Sequence, residues 1–349
     1  PRHNVCVRLC TIEACFAHPL AACDDAKRRV KRPDGSSSSF IRDLEEWARV
    51  CDRLYIWDYT TCFAHYPSPH PNWNVLQPNM RSFVKNHVKG VFEQACGAVG
   101  GGTDLNELRA YVIAKLLWDA DCDVARHIAE FTDFYYGAAA PAIRAYIHAL
   151  TEKVELDNIH VGFNDAVFPA HLGVEMLDRY DALFDEAERA VAGDPIRAMR
   201  VARARLSLRW VRLKGDAMLR GKRDPAAINR FFEDWRAHGL TRIDEWVSAE
   251  TTHRALIENR WRGTEFSERL SQVGPQVVDV LDPDRQAHEV DRHGLGLTRL
   301  APAALELRLD PAEARRRRPD PGAGRQRLRG GSPVTVTVHL DRDDRPPSG

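Results

Sequence analysis

Arg53-Leu-Tyr-Ile-Trp-Asp-Tyr59 is the stretch on which the fold turns. It is dense in aliphatic and aromatic residues and ends abruptly in polar ones, which is how a short, mostly buried strand reads. Asn4–Glu13 (NVCVRLCTIE) upstream and Val88–Gln94 (VKGVFEQ) downstream have the same character. A helix-like stretch follows each of the three. Phe40–Cys51 places Phe40, Leu44, Trp47 and Ala48 on one face at helical spacing. Val75–His87 carries Pro78, which is best tolerated in a first turn. Asp104–Trp118 opens on Asp104 with Glu107 three residues on, a capping-box-like start.

Strand–helix alternation of this kind is the signature of parallel βαβ units with right-handed crossovers. In such folds function collects at the carboxyl ends of the strands. That rule points to Glu13 through His18, to Trp57 through Tyr59, and to Glu93 and Gln94. After about residue 123 the pattern turns helical, with Gly137 as a break between Asp123–Tyr136 and Ala138–Val154. Met199–Leu219 repeats apolar residues three and four apart, and its arginines read as a solvated face. The expected organisation is therefore three strand–helix units over 1–122, a helical region over 123–262, and a poorly defined, partly disordered tail over 263–349. Within that tail Ser332–Leu340 could form one strand, with no obvious partner.

Bulk properties remove several classes of function. Fifty basic residues balance fifty acidic ones, so no global field draws the chain to nucleic acid. No apolar run approaches the ~18 residues that span a bilayer, so membrane insertion is not expected. Residue 1 is Pro, and no signal-peptide pattern follows it. This reads as a processed chain or a piece of a longer one, and it leaves the compartment open. All eight cysteines fall within the first 122 residues, at 6, 10, 15, 23, 51, 62, 96 and 122, with no C-x2-C pair among them. Small buried thiols are the expectation, with no metal site and no cofactor.

The strand ends carry a set of residues suited to carbohydrate chemistry. Glycoside hydrolysis commonly needs two carboxyl groups across the scissile bond. Glu13, Asp58 and Glu93 are the candidates for catalysis, and all three should emerge on one rim of a curved parallel sheet. Trp57 and Tyr59 could hold a sugar ring, and His18, His65 and Gln94 could bond its hydroxyls. Each has a plainer role available: Trp57 and Tyr59 as core, Asp58 as a loop cap, the histidines as satisfied structural groups. Tyr66–Asn72, stiffened by three prolines, could shape a rim. The glycine-rich 97–102 lacks the Lys-Ser/Thr ending of a phosphate-binding loop.

Four strings resemble a known family: Tyr55-Ile-Trp-Asp-Tyr-Thr-Thr61, Gly90-Val-Phe-Glu-Gln94, Glu107-Leu-Arg-Ala-Tyr-Val-Ile-Ala-Lys-Leu-Leu-Trp118 and Tyr135-Tyr-Gly-Ala-Ala-Ala-Pro141. Together they look like domain-of-unknown-function family 4838, which overlaps glycoside hydrolase family 163. The resemblance covers about residues 3 to 150 and, more loosely, the helices to about 260. It implies endo-β-N-acetylglucosaminidase action on N-glycans, a glycan or glycoprotein partner, and a secreted or periplasmic location. It also implies an α/β fold: the C-terminal units of an incomplete (β/α)8 barrel followed by an α-helical domain. A full barrel has eight units, and three are visible, so the isolated chain is expected to be inactive. The alternative is a non-catalytic carbohydrate-binding protein of the same fold. A small nucleotide-binding α/β protein is disfavoured by the missing Gly-x-Gly-x-x-Gly turn.

Overall fold

A computed structural model describes residues 4–25, 29–31, 34–96, 101–102, 104–163, 170–219, 222–245, 247–258 and 337–340. The chain runs through β1 (Val5–Cys10), a short antiparallel pair β2 (Val30–Lys31) and β3 (Ser37–Ser38), α1 (Phe40–Ala48), β4 (Leu54–Tyr59), α2 (Leu76–Lys85), β5 (Gly90–Gln94) and α3 (Asn106–Trp118). Helices follow: α4 (Val124–Tyr136), α5 (Ala140–Leu156), α6 (Val174–Ala190), α7 (Pro195–Leu219), α8 (Pro225–Ala237) and α9 (Ala249–Ile257). The last described element is a strand, β6 (Thr337–Leu340). The result is a mixed α/β structure with a small parallel sheet and many helices.

The sheet order is β5-β4-β1-β6, with β1, β4 and β5 parallel. Strand β6 supplies what Ser332–Leu340 lacked in the sequence, a partner: it lies antiparallel on β1, Val5 opposite Leu340 and Arg8 opposite Thr337. Among the described residues the sheet does not close into a barrel. Gly90 sits opposite Tyr55 because the tyrosine ring covers it; an added Cβ would stand 3.0 Å from that ring.

The strands present two different faces because side chains alternate along them. Val7, Leu9, Leu54, Ile56 and Val91 pack against Leu44 of α1, Leu76, Met80 and Phe83 of α2, and Leu108 and Val112 of α3. Each of these that is fully buried contributes about 1.5–3 kcal/mol; Val91 is only partly covered. This hydrophobic cluster continues without a break across residue 122 to Val211 on α7. A second cluster joins Trp210 of α7 to Phe231, Phe232 and Trp235 of α8 and Leu256 of α9.

Several local expectations change in the folded chain. Gly137 does end α4, with φ of +56°. The positive φ is what favours glycine there; a Cβ would in addition have to displace the Arg197 side chain. Asp104 is not the cap of α3; Leu105 takes that position with φ of +45°. The Asp104 carboxyl is buried instead, where it accepts from the Tyr146 hydroxyl at 3.0 Å and pairs with Arg109 at 3.7 Å. Arg109 in turn lies over Trp73 and donates to the Asn72 side chain and the His70 carbonyl. The proline-rich 66–72 segment is therefore packed inward rather than raised as a rim.

The arginines of α7 are also not simply solvated. Arg205 pairs with Asp181, Asp185 and Glu188, and Arg212 with Asp178 and Asp181. Those four acids recur three and four residues apart on α6, so one helix face meets the other as a charge ladder.

Candidate functional site

The parallel strands β1, β4 and β5 end together, and Asp58 and Glu93 stand opposite each other in the register of β4 and β5. Both share the face of Leu54, Ile56 and Val91, so they lie toward the helical layer. Asp58 accepts from the Thr11 hydroxyl at 2.5 Å and from the Tyr59 backbone N–H at 2.8 Å. Neither Glu93 carboxyl oxygen has a hydrogen-bond partner among the described residues, although both are shut off from solvent. Burial pushes the Asp58 carboxyl up to about 6, against the opposing effect of its two donors. Glu93 is raised well above the usual carboxylate range, first by burial and then by the Asp58 charge beside it. Two carboxyls in one low-dielectric site do not ionise independently, and the pair holds a proton where free carboxyls would have lost it.

The opposite face is aromatic. Trp57 stacks with Tyr59 (centroids 6.2 Å apart) and meets Phe92 edge-on at 5.4 Å. The Arg8 guanidinium lies 4.5 Å over the Trp57 ring, and the indole N–H donates to Gln94 at 2.6 Å. Phe92 is 51% exposed, so this strip is open at its β5 side. Tyr59 is enclosed by Phe63 and Phe163, its hydroxyl near Cys10, and burial pushes its phenol up. Polar groups at the edges of an aromatic floor are what orient a ligand that stacks on it.

Of the remaining candidates, the two histidines lie elsewhere. Glu13 is in the turn after β1, at the same end of the sheet. His18 belongs to a separate group, its Nδ1 3.4 Å from Cys15 and its ring 4.4 Å from that of His160. His65 is buried with Lys214 of α7, whose ammonium is 3.2 Å from both ring nitrogens. Burial and that neighbour hold the imidazole neutral, and burial brings Lys214 down to about 7. The folded chain thus brings together Asp58 with Glu93, and Trp57 with Tyr59 and Gln94, on opposite faces. Sequence reasoning missed Arg8, Thr11 and Phe92. Thr11 and Phe92 are each two residues from a strand-end candidate, Glu13 and Gln94, so strand alternation could have found them; Arg8 joins the group only through its contact with Trp57 across the sheet.

These features define an α/β protein whose candidate site sits at the carboxyl ends of its parallel strands. Residues 1–148 match the model of a family described as Domain of unknown function (DUF4838), a stretch that holds β1 through α4 and the first half of α5. No curated protein and no solved structure matches the chain. None of the described helices is long and apolar enough to cross a membrane.

Proposed function

We propose that this chain binds β-linked N-acetylglucosamine-containing glycans and supplies the aromatic part of a glycoside-hydrolase site. The observation that carries the reading is the strip of Trp57 and half-exposed Phe92 at the strand ends, with the Arg8 guanidinium lying over the Trp57 ring and Gln94 on its indole N–H. A pyranose ring stacks on such a surface while its hydroxyls take the polar edge. A secreted or periplasmic location goes with this reading, since N-glycans on mature glycoproteins are met outside the cytoplasm.

Hydrolysis asks for carboxyl groups on the sugar side of the site. Asp58 and Glu93 face away from the strip, which favours binding without turnover by this chain alone and keeps the non-catalytic reading beside the hydrolytic one. The test is titration calorimetry of the 349-residue chain with chitooligosaccharides and a complex N-glycan, alongside a glycan-release assay. Saturable binding that falls about tenfold in Trp57→Ala, a loss of ~1.4 kcal/mol, is expected. No binding by the parent chain would sink the proposal. Release of the glycan by this chain would show that a carboxyl pair reaches the sugar, and would decide for the hydrolytic reading.

A further inference from the structure

Away from the strip, four metal-ligating side chains converge beside a small hydrophobic cluster. Cys15, His18 and Cys23 come from the loop after β1, and His160 comes from the segment after α5. One donor atom from each lies within 4.8 Å of every other. Two of the cysteine–histidine approaches are 3.4 Å (Cys15 Sγ to His18 Nδ1) and 3.7 Å (Cys23 Sγ to His160 Nδ1). In a tetrahedral zinc site, bonds of about 2.3 Å to sulfur and about 2.05 Å to nitrogen set the sulfur–nitrogen edge at about 3.6 Å. Both observed approaches fall beside that value.

The surroundings agree with a metal site in three further ways. The Ala17 backbone N–H points at the Cys15 sulfur at 3.4 Å, as N–H groups do around a thiolate. Asp24 lies 3.6 Å from His160 Nε2, the nitrogen turned away from Cys23, where an outer carboxylate orients a ligating imidazole. Ala17, Val154, Ile159 and Val161 pack around the cluster, and the Phe16 N–H donates to the Val161 carbonyl at 2.8 Å. That packing and that hydrogen bond tie the loop after β1 to the segment after α5.

We propose that Cys15, His18, Cys23 and His160 form a Cys2His2 site for a zinc-class divalent cation that staples the loop after β1 to the segment after α5. Four protein ligands leave no open position, so the site is structural rather than catalytic. Binding converts the two thiols to thiolates and releases their protons to solvent.

The full chain, purified anaerobically with a thiol reductant, is dialysed against chelator and titrated with zinc and then with cobalt. One equivalent of bound metal by elemental analysis is expected. Thiolate-to-cobalt charge transfer and the intense visible bands of tetrahedral cobalt should appear with it. Cys23→Ser and His160→Ala should lose the stoichiometric metal, and Asp24→Asn should weaken it by roughly 10- to 100-fold. Since a variant could fail to fold, the cobalt spectrum of the unaltered chain stands as the independent measurement. A reduced chain that takes up no stoichiometric metal overturns the proposal. So does a Cys15–Cys23 disulfide in chain purified anaerobically with zinc present.

Discussion

At Asp58 two donors and a low-dielectric surrounding pull in opposite directions, and burial wins, leaving the carboxyl at about 6 against 3.8 in the unfolded chain. Below pH 3.8 both states are protonated and the favourable contribution of the neutral acid is complete. As pH rises toward 6 the unfolded state loses the proton while the native state still holds it, so stability falls across that window. The shift is roughly two pH units, on the order of 3 kcal/mol, and it belongs to the Asp58–Glu93 pair rather than to one residue. Asp58→Asn should flatten urea-derived stability between pH 4 and 6.5 and make the protein more stable than the parent at pH 7. An unchanged slope would mean that the pair does not share a buried proton. Glu93, raised in the same direction, extends the decline to higher pH.

Among elements, the interface of α6 and α7 is the one most dependent on charge. Asp181 receives both Arg205 (3.0 Å) and Arg212 (2.5 Å), each half-covered by the packing of the helices. Asp181→Ala should cost about 1.5–3 kcal/mol, the range for hydrogen bonds to a charged group. Part of that cost should vanish in molar salt, because screening weakens what the ladder gives the parent. Thermal melts of both proteins at low and high salt measure it; an equal loss at both would assign the effect to packing alone. Several helices were legible in sequence: Gly137 closes α4, and the apolar spacing of Met199–Leu219 is that of α7. The three parallel strands were legible too, within a residue or a few of their ends. What escaped were contacts between distant parts of the chain. Asp104 looked like a cap because its partner Tyr146 is 42 residues on. The cysteines looked like packing because His160 comes 137 residues after Cys23. The facing of Asp58 was available and overlooked, since a period of two groups it with Leu54 and Ile56.

For the whole molecule, one hydrophobic cluster spans the sheet and the helices through α7, so the strand–helix units and the helices after residue 122 stabilise one another. The outer edge of β1 is covered along Val5–Arg8 by β6. An uncovered edge offers its N–H and C=O groups to a second chain. Removal of residues 337–349 should therefore raise self-association with concentration, read by light scattering after size exclusion, while the parent stays at lower mass. A truncated chain with the parent's mass would show that β6 is dispensable as a cover. The family match ends at 148, inside α5, yet the shared core continues to Val211, so truncation at the match boundary would open the cluster rather than trim it.

The pairing of Asp58 with Glu93 has a consequence for how this sheet tolerates change. A single residue inserted between Gly90 and Glu93 would invert the parity of everything after it in β5. The glutamate would then surface beside the Trp57 indole, and Gln94 would be driven under the helices. Lengthening the 86–89 connection leaves that parity intact. Insertions should thus be selected against inside the strand and accepted just ahead of it, a one-residue boundary set by the pleat alone.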